Sequence, residues 1–276
     1  QTKVEAIAAV QFVTAAAGLA LIYTLLRLGP TGLAWSVGAG AAGGAVAAAY
    51  FVWKFYFADF DEFSPEIGWK FLRGTAASSL ILSVTGIVLM GTHLHIQSIL
   101  GQTKGMAALG NYNAALLIIG TAVSVLMSAA RTYILPHLGN LEDERGKRSE
   151  FSRVLGLSLV ALTLGGLALI LGSGYLIPLL FSSKFEEAAL LLPILCLSLP
   201  GQAYGWNYNT YMVHKGDFGT TFILDSAWCL LFVGGTAICV RRGLPISSVA
   251  WTYAASYCVF GFYYALVGGR KYGTEF

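Results

Sequence analysis

The charged residues of this chain are separated by stretches long enough to cross a bilayer. Ala6–Leu26, Leu28–Trp53, Gly74–Thr103, Gly105–Ala130, Val154–Ser183, Ala188–His214 and Gly243–Gly269 contain no Asp, Glu, Lys or Arg, and Phe218–Val240 contains only Asp225. A helix needs about 20 apolar residues to span a hydrocarbon core about 30 Å thick. Each window is therefore predicted to be one transmembrane helix, eight in all. Strands of a membrane barrel are shorter and alternate in polarity, and these windows do not. The expected fold class is all-α, a polytopic membrane protein.

Composition agrees. Of 276 residues 56% are hydrophobic and 11% charged, against roughly 25% charged in a soluble domain. A soluble enzyme and a disordered chain are both excluded as starting points. The net charge of +3 is too small to imply a nucleic-acid partner. Cys196, Cys229, Cys239 and Cys258 lie in apolar runs without CxxC spacing and read as buried small hydrophobes.

Eight spans put alternate loops on opposite sides, and the cations divide unequally between them. One side collects Lys3, Lys54, Lys70, Arg73, Arg131, Arg145, Lys147, Arg148, Arg153, Lys215, Arg270 and Lys271; the other has Arg27, Lys104, Lys184, Arg241 and Arg242. The positive-inside rule then predicts that both ends of the chain are cytoplasmic, in a cytoplasmic (inner) membrane. On the outer side Leu28–Gly32 and Arg241–Pro245 read as tight Gly/Pro hairpins, and a short interfacial helix is expected through Phe181–Glu187. Inside, Gly139–Glu150 is the most polar stretch. Phe55–Phe71 interleaves aromatics with acids and reads as a headgroup-level linker. Span one follows Gln1 almost at once, so the expectation is a fragment whose first helices are missing.

Several side chains stand out. Gly40 and Gly44 form a GxxxG pair suited to close helix packing. Pro193 and Pro200 should bend span six. Asp225 is the carboxylate well inside a span, a costly placement. It reads either as a snorkelling group or as a cation, proton or polar-substrate contact. Arg73 and Arg131, near the cytoplasmic ends of spans three and four, either snorkel to lipid headgroups or hold a phosphate, for which guanidinium has the right fork of donors. His93 and His95 close span three; spaced i, i+2 they do not share a helix face. No metal site is expected, Asp59-Phe60-Asp61 lacking any phosphate-binding context, and no cofactor or catalytic motif is found.

At Leu109-Gly110-Asn111-Tyr112-Asn113-Ala114-Ala115 the chain resembles the polysaccharide flippases (Wzx-like, O-antigen type) of the multidrug/oligosaccharidyl-lipid/polysaccharide exporter superfamily, in which a G-x-Y-x-x-A stretch opens a helix. Leu180-Phe181-Ser182-Ser183-Lys184-Phe185-Glu186-Glu187-Ala188 is similar to the family's L-F-G-x-x-F-x-x-A passage. The resemblance implies a MATE-like architecture. Residues 1–54 would be the last two helices of a first lobe, 55–72 the linker, and 73–276 the complete second six-helix lobe. It implies alternating-access flipping of an isoprenoid-pyrophosphate-linked oligosaccharide for surface polysaccharide export, with no enzymatic activity. Arg73 and Arg131 would contact pyrophosphate, Asp225 would tune the cavity or bind a cation, and His93 and His95 would serve coupling to a proton or sodium ion. Implied partners are the lipid-linked oligosaccharide, membrane lipids and polysaccharide assembly proteins. The alternatives are a cation-coupled multidrug exporter of the same fold and, further off, a glycan polymerase or glycosyltransferase.

Overall fold

A computed structural model describes the backbone of residues 65–272. The first two windows, the Gly40/Gly44 pair and Asp59-Phe60-Asp61 lie outside the described residues. The chain divides into two compact units, Gln1–Gly74 and Thr75–Phe276, and the account below concerns the second. Seven α-helices follow one another among the described residues: α1 (Pro65–Lys104), α2 (Met106–Asn140), α3 (Glu144–Leu180), α4 (Glu186–Cys196), α5 (Leu199–His214), α6 (Phe218–Arg241) and α7 (Ile246–Tyr272), with a 3-10 turn at Ser183–Phe185.

Four helices are long and apolar enough to cross a membrane, namely α1 from Ser78, α2, α3 and α6; α4 and α5 together make a fifth if the bent pair is one span. Helix α7 has the length, at 27 residues, but its tyrosines and serines make it less apolar. Leu171, Tyr175, Leu190 and Leu230 are exposed, as suits an outer surface solvated by lipid rather than water. The segment from Pro65 runs into span three as one helix, and the polar stretch after Leu141 becomes the first turns of α3. There Asp143 caps the helix, accepting from the backbone N–H groups of Arg145 at 3.0 Å and Gly146 at 3.3 Å.

The bend in window six is sharp: α4 and α5 meet at 55°. Pro200 has no N–H to offer the Cys196 carbonyl, so the helix ends at Cys196. The Ser198 hydroxyl turns back to the Leu195 carbonyl at 2.6 Å. Pro200, in the first turn of α5, suits the restart, whereas Pro193 sits inside α4.

Beyond the bend, α5 crosses α7 with almost nothing between them. A Cβ on Gly201 would overlap the Tyr257 carbonyl oxygen, and one on Gly261 would lie 2.6 Å from the Gly201 carbonyl oxygen. Gly205 makes room for the Phe260 ring and Gly268 for the Tyr208 ring. Gly201 and Gly205 are thus a GxxxG pair. Below the seam Phe151 packs on Tyr208 and Tyr211, at ring separations of 5.0 and 4.5 Å. Cys196, Cys229 and Cys239 are buried as expected, but Cys258 is exposed; its helix turns it out of the core, toward the Leu197 carbonyl at 3.7 Å.

The two ends of the bundle differ. At one end Lys215 Nζ meets Glu144 at 2.6 Å and Lys147 meets the same carboxylate at 3.1 Å. Nearby Asp217 accepts from Lys271 Nζ at 2.6 Å and from the Tyr272 hydroxyl at 2.8 Å. Burial pushes the Asp217 carboxyl up, but the hydrogen bonds from Lys271, Tyr272 and Thr220 outweigh it and hold the group below its ordinary range. At the other end the short turn before α4 carries Ser182 at φ 112°, in the left-handed half of backbone space that favours glycine.

Candidate substrate cavity and a buried carboxylate

Helices α1, α2, α5 and α7 line an open cavity of about 790 Å³. Along α2 the lining residues recur at helical spacing, from Asn113 through Gly120, Ser124 and Met127 to Arg131. Helix α1 adds His93 and Gln97, α5 adds Gln202 and Trp206, and α7 adds Tyr253 and Tyr257. The break in α4–α5 places Gln202 here in the first turn of α5. It is buried, and its Nε2 donates to Ser198 Oγ at 2.6 Å. Irregular backbone at membrane depth is stable where it faces such a polar cavity. Among the described residues the lining contains an arginine and a histidine but no carboxylate.

Arg131 is fixed from one side. Its Nε donates to Thr210 Oγ1 at 3.1 Å, and its guanidinium carbon lies 5.3 Å from the Trp206 ring centre. The terminal nitrogens make no hydrogen bond among the described residues, which leaves them for an anion. At the far end of the same helix face, Asn113 Oδ1 is buried and unpartnered among the described residues. That is an acceptor suited to a hydroxyl or amide donor.

Asp225 does not line the cavity. It lies behind α5, 4% exposed, where Tyr264 Oη donates to Oδ1 at 2.9 Å and Asn209 Nδ2 donates to Oδ2 at 3.2 Å. Asn209 also reaches Tyr264 Oη at 3.2 Å. Three helices thus supply one polar knot in the bundle, and the carboxylate is buried rather than snorkelling. Electrostatically it faces Arg131.

The structure therefore brings His93 and Arg131 to one cavity and places Asp225 one layer behind. His93 is half-buried, with Trp228, Phe232 and Tyr253 around it at ring separations of 5.7, 6.2 and 6.5 Å. His95 is exposed and apart, as their spacing predicts. The Arg73 side chain lies outside the described residues. Sequence reasoning passed over Trp206, Gln202, Asn209 and Tyr264. An i, i+3 pair of polar residues in span six, Asn209 beside Trp206, was the available signal. Among the described residues no group of His, Cys, Asp and Glu could hold a metal ion.

No protein-family profile matches the chain, and no curated protein does. Solved structures do. One is a MOP superfamily transporter from Pyrococcus furiosus whose binding pocket is described as reversed in polarity (14% identity, TM-score 0.70). Others are a MATE transporter in complex with MaL6 (15%, 0.72) and a multidrug resistance MATE family transporter of the MOP superfamily in an outward-facing conformation (14%, 0.68). Each match covers 96% of this chain and 62% of the other, so the chain spans under two thirds of those transporters. With apolar helices of membrane-crossing length and this arrangement in space, the chain is a multi-pass membrane protein with the MATE-like fold of MOP superfamily transporters.

Proposed function

We propose that the chain forms part of a transporter that flips a lipid-linked oligosaccharide, carried on an isoprenoid pyrophosphate, across the cytoplasmic membrane by alternating access. The observation that carries this reading is the cavity lining among the described residues: a guanidinium whose terminal nitrogens make no hydrogen bond there, uncharged hydrogen-bonding groups, three aromatic rings and no carboxylate. An anionic head is costly in hydrocarbon, and a fixed cation lowers that cost. Guanidinium binds phosphate oxygens in pairs, while Trp206, Tyr253 and Tyr257 offer flat faces to sugar rings. In this reading residues 73–276 are the second lobe, the chain's ends are cytoplasmic, and Arg73 joins Arg131 at the pyrophosphate. Asp225 sets the field behind Arg131, and His93 is the titratable group in the cavity.

A second reading, a cation-coupled multidrug exporter, is favoured by the buried Asp225 and by the multidrug relative of the same fold. Alanine at Arg131 in the full-length parent separates the two. In cells whose surface glycan depends on that parent, the flippase reading expects loss of surface polysaccharide and accumulation of the lipid-linked precursor. Unchanged glycan together with altered drug sensitivity would give the site to the exporter.

A further inference from the structure

A second concavity, of about 710 Å³, lies on the outer side of the α5–α7 crossing. It is lined by Pro200 and Gly201 on α5 and by Cys258, Phe262, Leu266 and Arg270 on α7, among others. Gln202 and Trp206, on the other side of α5, line the first cavity. Between the two runs the glycine seam, where Gly201 and Gly261 bring the helices into backbone contact. The cavity and the groove thus lie on opposite sides of that crossing.

Its dimensions and charge identify an occupant. Cys258 sits near the middle of α7 and Arg270 in its last turn, about 18 Å apart along the axis at 1.5 Å per residue. That is the depth of one leaflet, about 15 Å of hydrocarbon, plus the step to the headgroups. The apolar part of the groove faces that depth, with Phe262 and Leu266 exposed along it. Arg270 stands at the end where Lys215, Glu144, Asp217 and Lys271 gather. Lys271 is neutralised by Asp217, whereas Arg270 is exposed and has no ion pair among the described residues.

We propose that this groove is a binding site for an anionic glycerophospholipid, one acyl chain lying along α7 between Cys258 and Arg270 and the phosphate paired with Arg270. The lipid seals the outer side of the seam and is separate from the transported substrate.

The test uses the purified full-length parent in vesicles of phosphatidylglycerol and phosphatidylcholine, extracted gently and weighed intact by native mass spectrometry, with thermal stability measured alongside. Wild type should retain one phosphatidylglycerol in preference to phosphatidylcholine and melt higher with it. Arg270→Ala should weaken retention about fivefold, as expected for one cation at an anionic surface. Ala265→Trp, which fills the groove, should abolish retention, and Arg241→Ala, at the opposite end of the bundle, should change nothing. Equal retention of both lipids, retention unaltered in Arg270→Ala, or displacement of the bound lipid by an isoprenoid phosphate would overturn the proposal. Should Ala265→Trp fail to fold, the Arg270→Ala comparison decides alone.

Discussion

Arg131 on α2 and Asp225 on α6 are joined through two adjacent residues of α5: Thr210 Oγ1 accepts from Arg131 Nε, and Asn209 Nδ2 donates to Asp225 Oδ2. The cation faces the cavity and the anion is buried behind it, so one helix turn fixes both. Removing the carboxylate takes away the acceptor that Asn209 and Tyr264 share and leaves them their other contacts, Asn209 to Tyr264 Oη at 3.2 Å and Tyr264 to the Thr221 carbonyl at 3.4 Å. Asp225→Ala should therefore destabilise the purified protein by about 2–3 kcal/mol, and Asp225→Asn by much less. Tyr264→Phe, which removes the donor to Asp225 and the acceptor for Asn209, should cost about 1–2 kcal/mol. Thermal unfolding in detergent measures all three; equal melting of Asp225→Ala and wild type would refute the network.

The α5–α7 seam gives a steric prediction. Gly201→Ala must move backbone away from the Tyr257 carbonyl, and overpacking of this kind costs roughly 1–3 kcal/mol. Gly156→Ala, where nothing lies within 4 Å of the new methyl, should be neutral or stabilising by up to about 1 kcal/mol. Comparing the melting temperatures of the two variants checks the pair.

Ser182 holds φ 112° in the turn before α4. Ser182→Gly should relieve that strain and raise stability by about 1 kcal/mol, read as a higher melting temperature; a lower one would show that the serine side chain holds the turn.

Asp217 provides the pH dependence. Its carboxyl is held below the ordinary range in the fold, so the folded state binds its proton less readily than the unfolded chain. The contribution is fully present above the unfolded value, near 3.9, and is lost as pH falls through the lower folded value. Wild type should lose more melting temperature than Asp217→Asn between pH 6 and pH 3, and Lys271→Met should resemble the variant. Parallel pH profiles would remove this carboxylate from the account.

How far the sequence reached depends on the range of the interaction. The windows follow from local charge spacing. Of the six within the described residues five each hold one helix and the sixth a bent pair; four helices, or five spans with that pair, are long and apolar enough to cross a membrane. The turn at Arg241–Pro245 has Gly243 at φ 67°, as a Gly/Pro hairpin requires. Two prolines indicated a bend in window six, but not that Pro200 would end one helix and open another. Asp225 was visible as an isolated carboxylate; its partners Asn209 and Tyr264 are 16 and 39 residues away along the chain, and nothing local marks them. The Gly201/Gly205 pair is the same signal as Gly40/Gly44, diluted by the tyrosine and tryptophan around it. Cys258 shows the limit of composition, since a thiol in an apolar run can still point outward.

The glycine seam constrains how such a bundle can work. Helices that touch backbone to backbone have no side chains to re-pack, so α5 and α7 cannot glide past one another by small steps. They act as a single lever, and any rocking has to be absorbed where the chain already yields: at the elbow before Leu199 and in the short turns at the membrane faces.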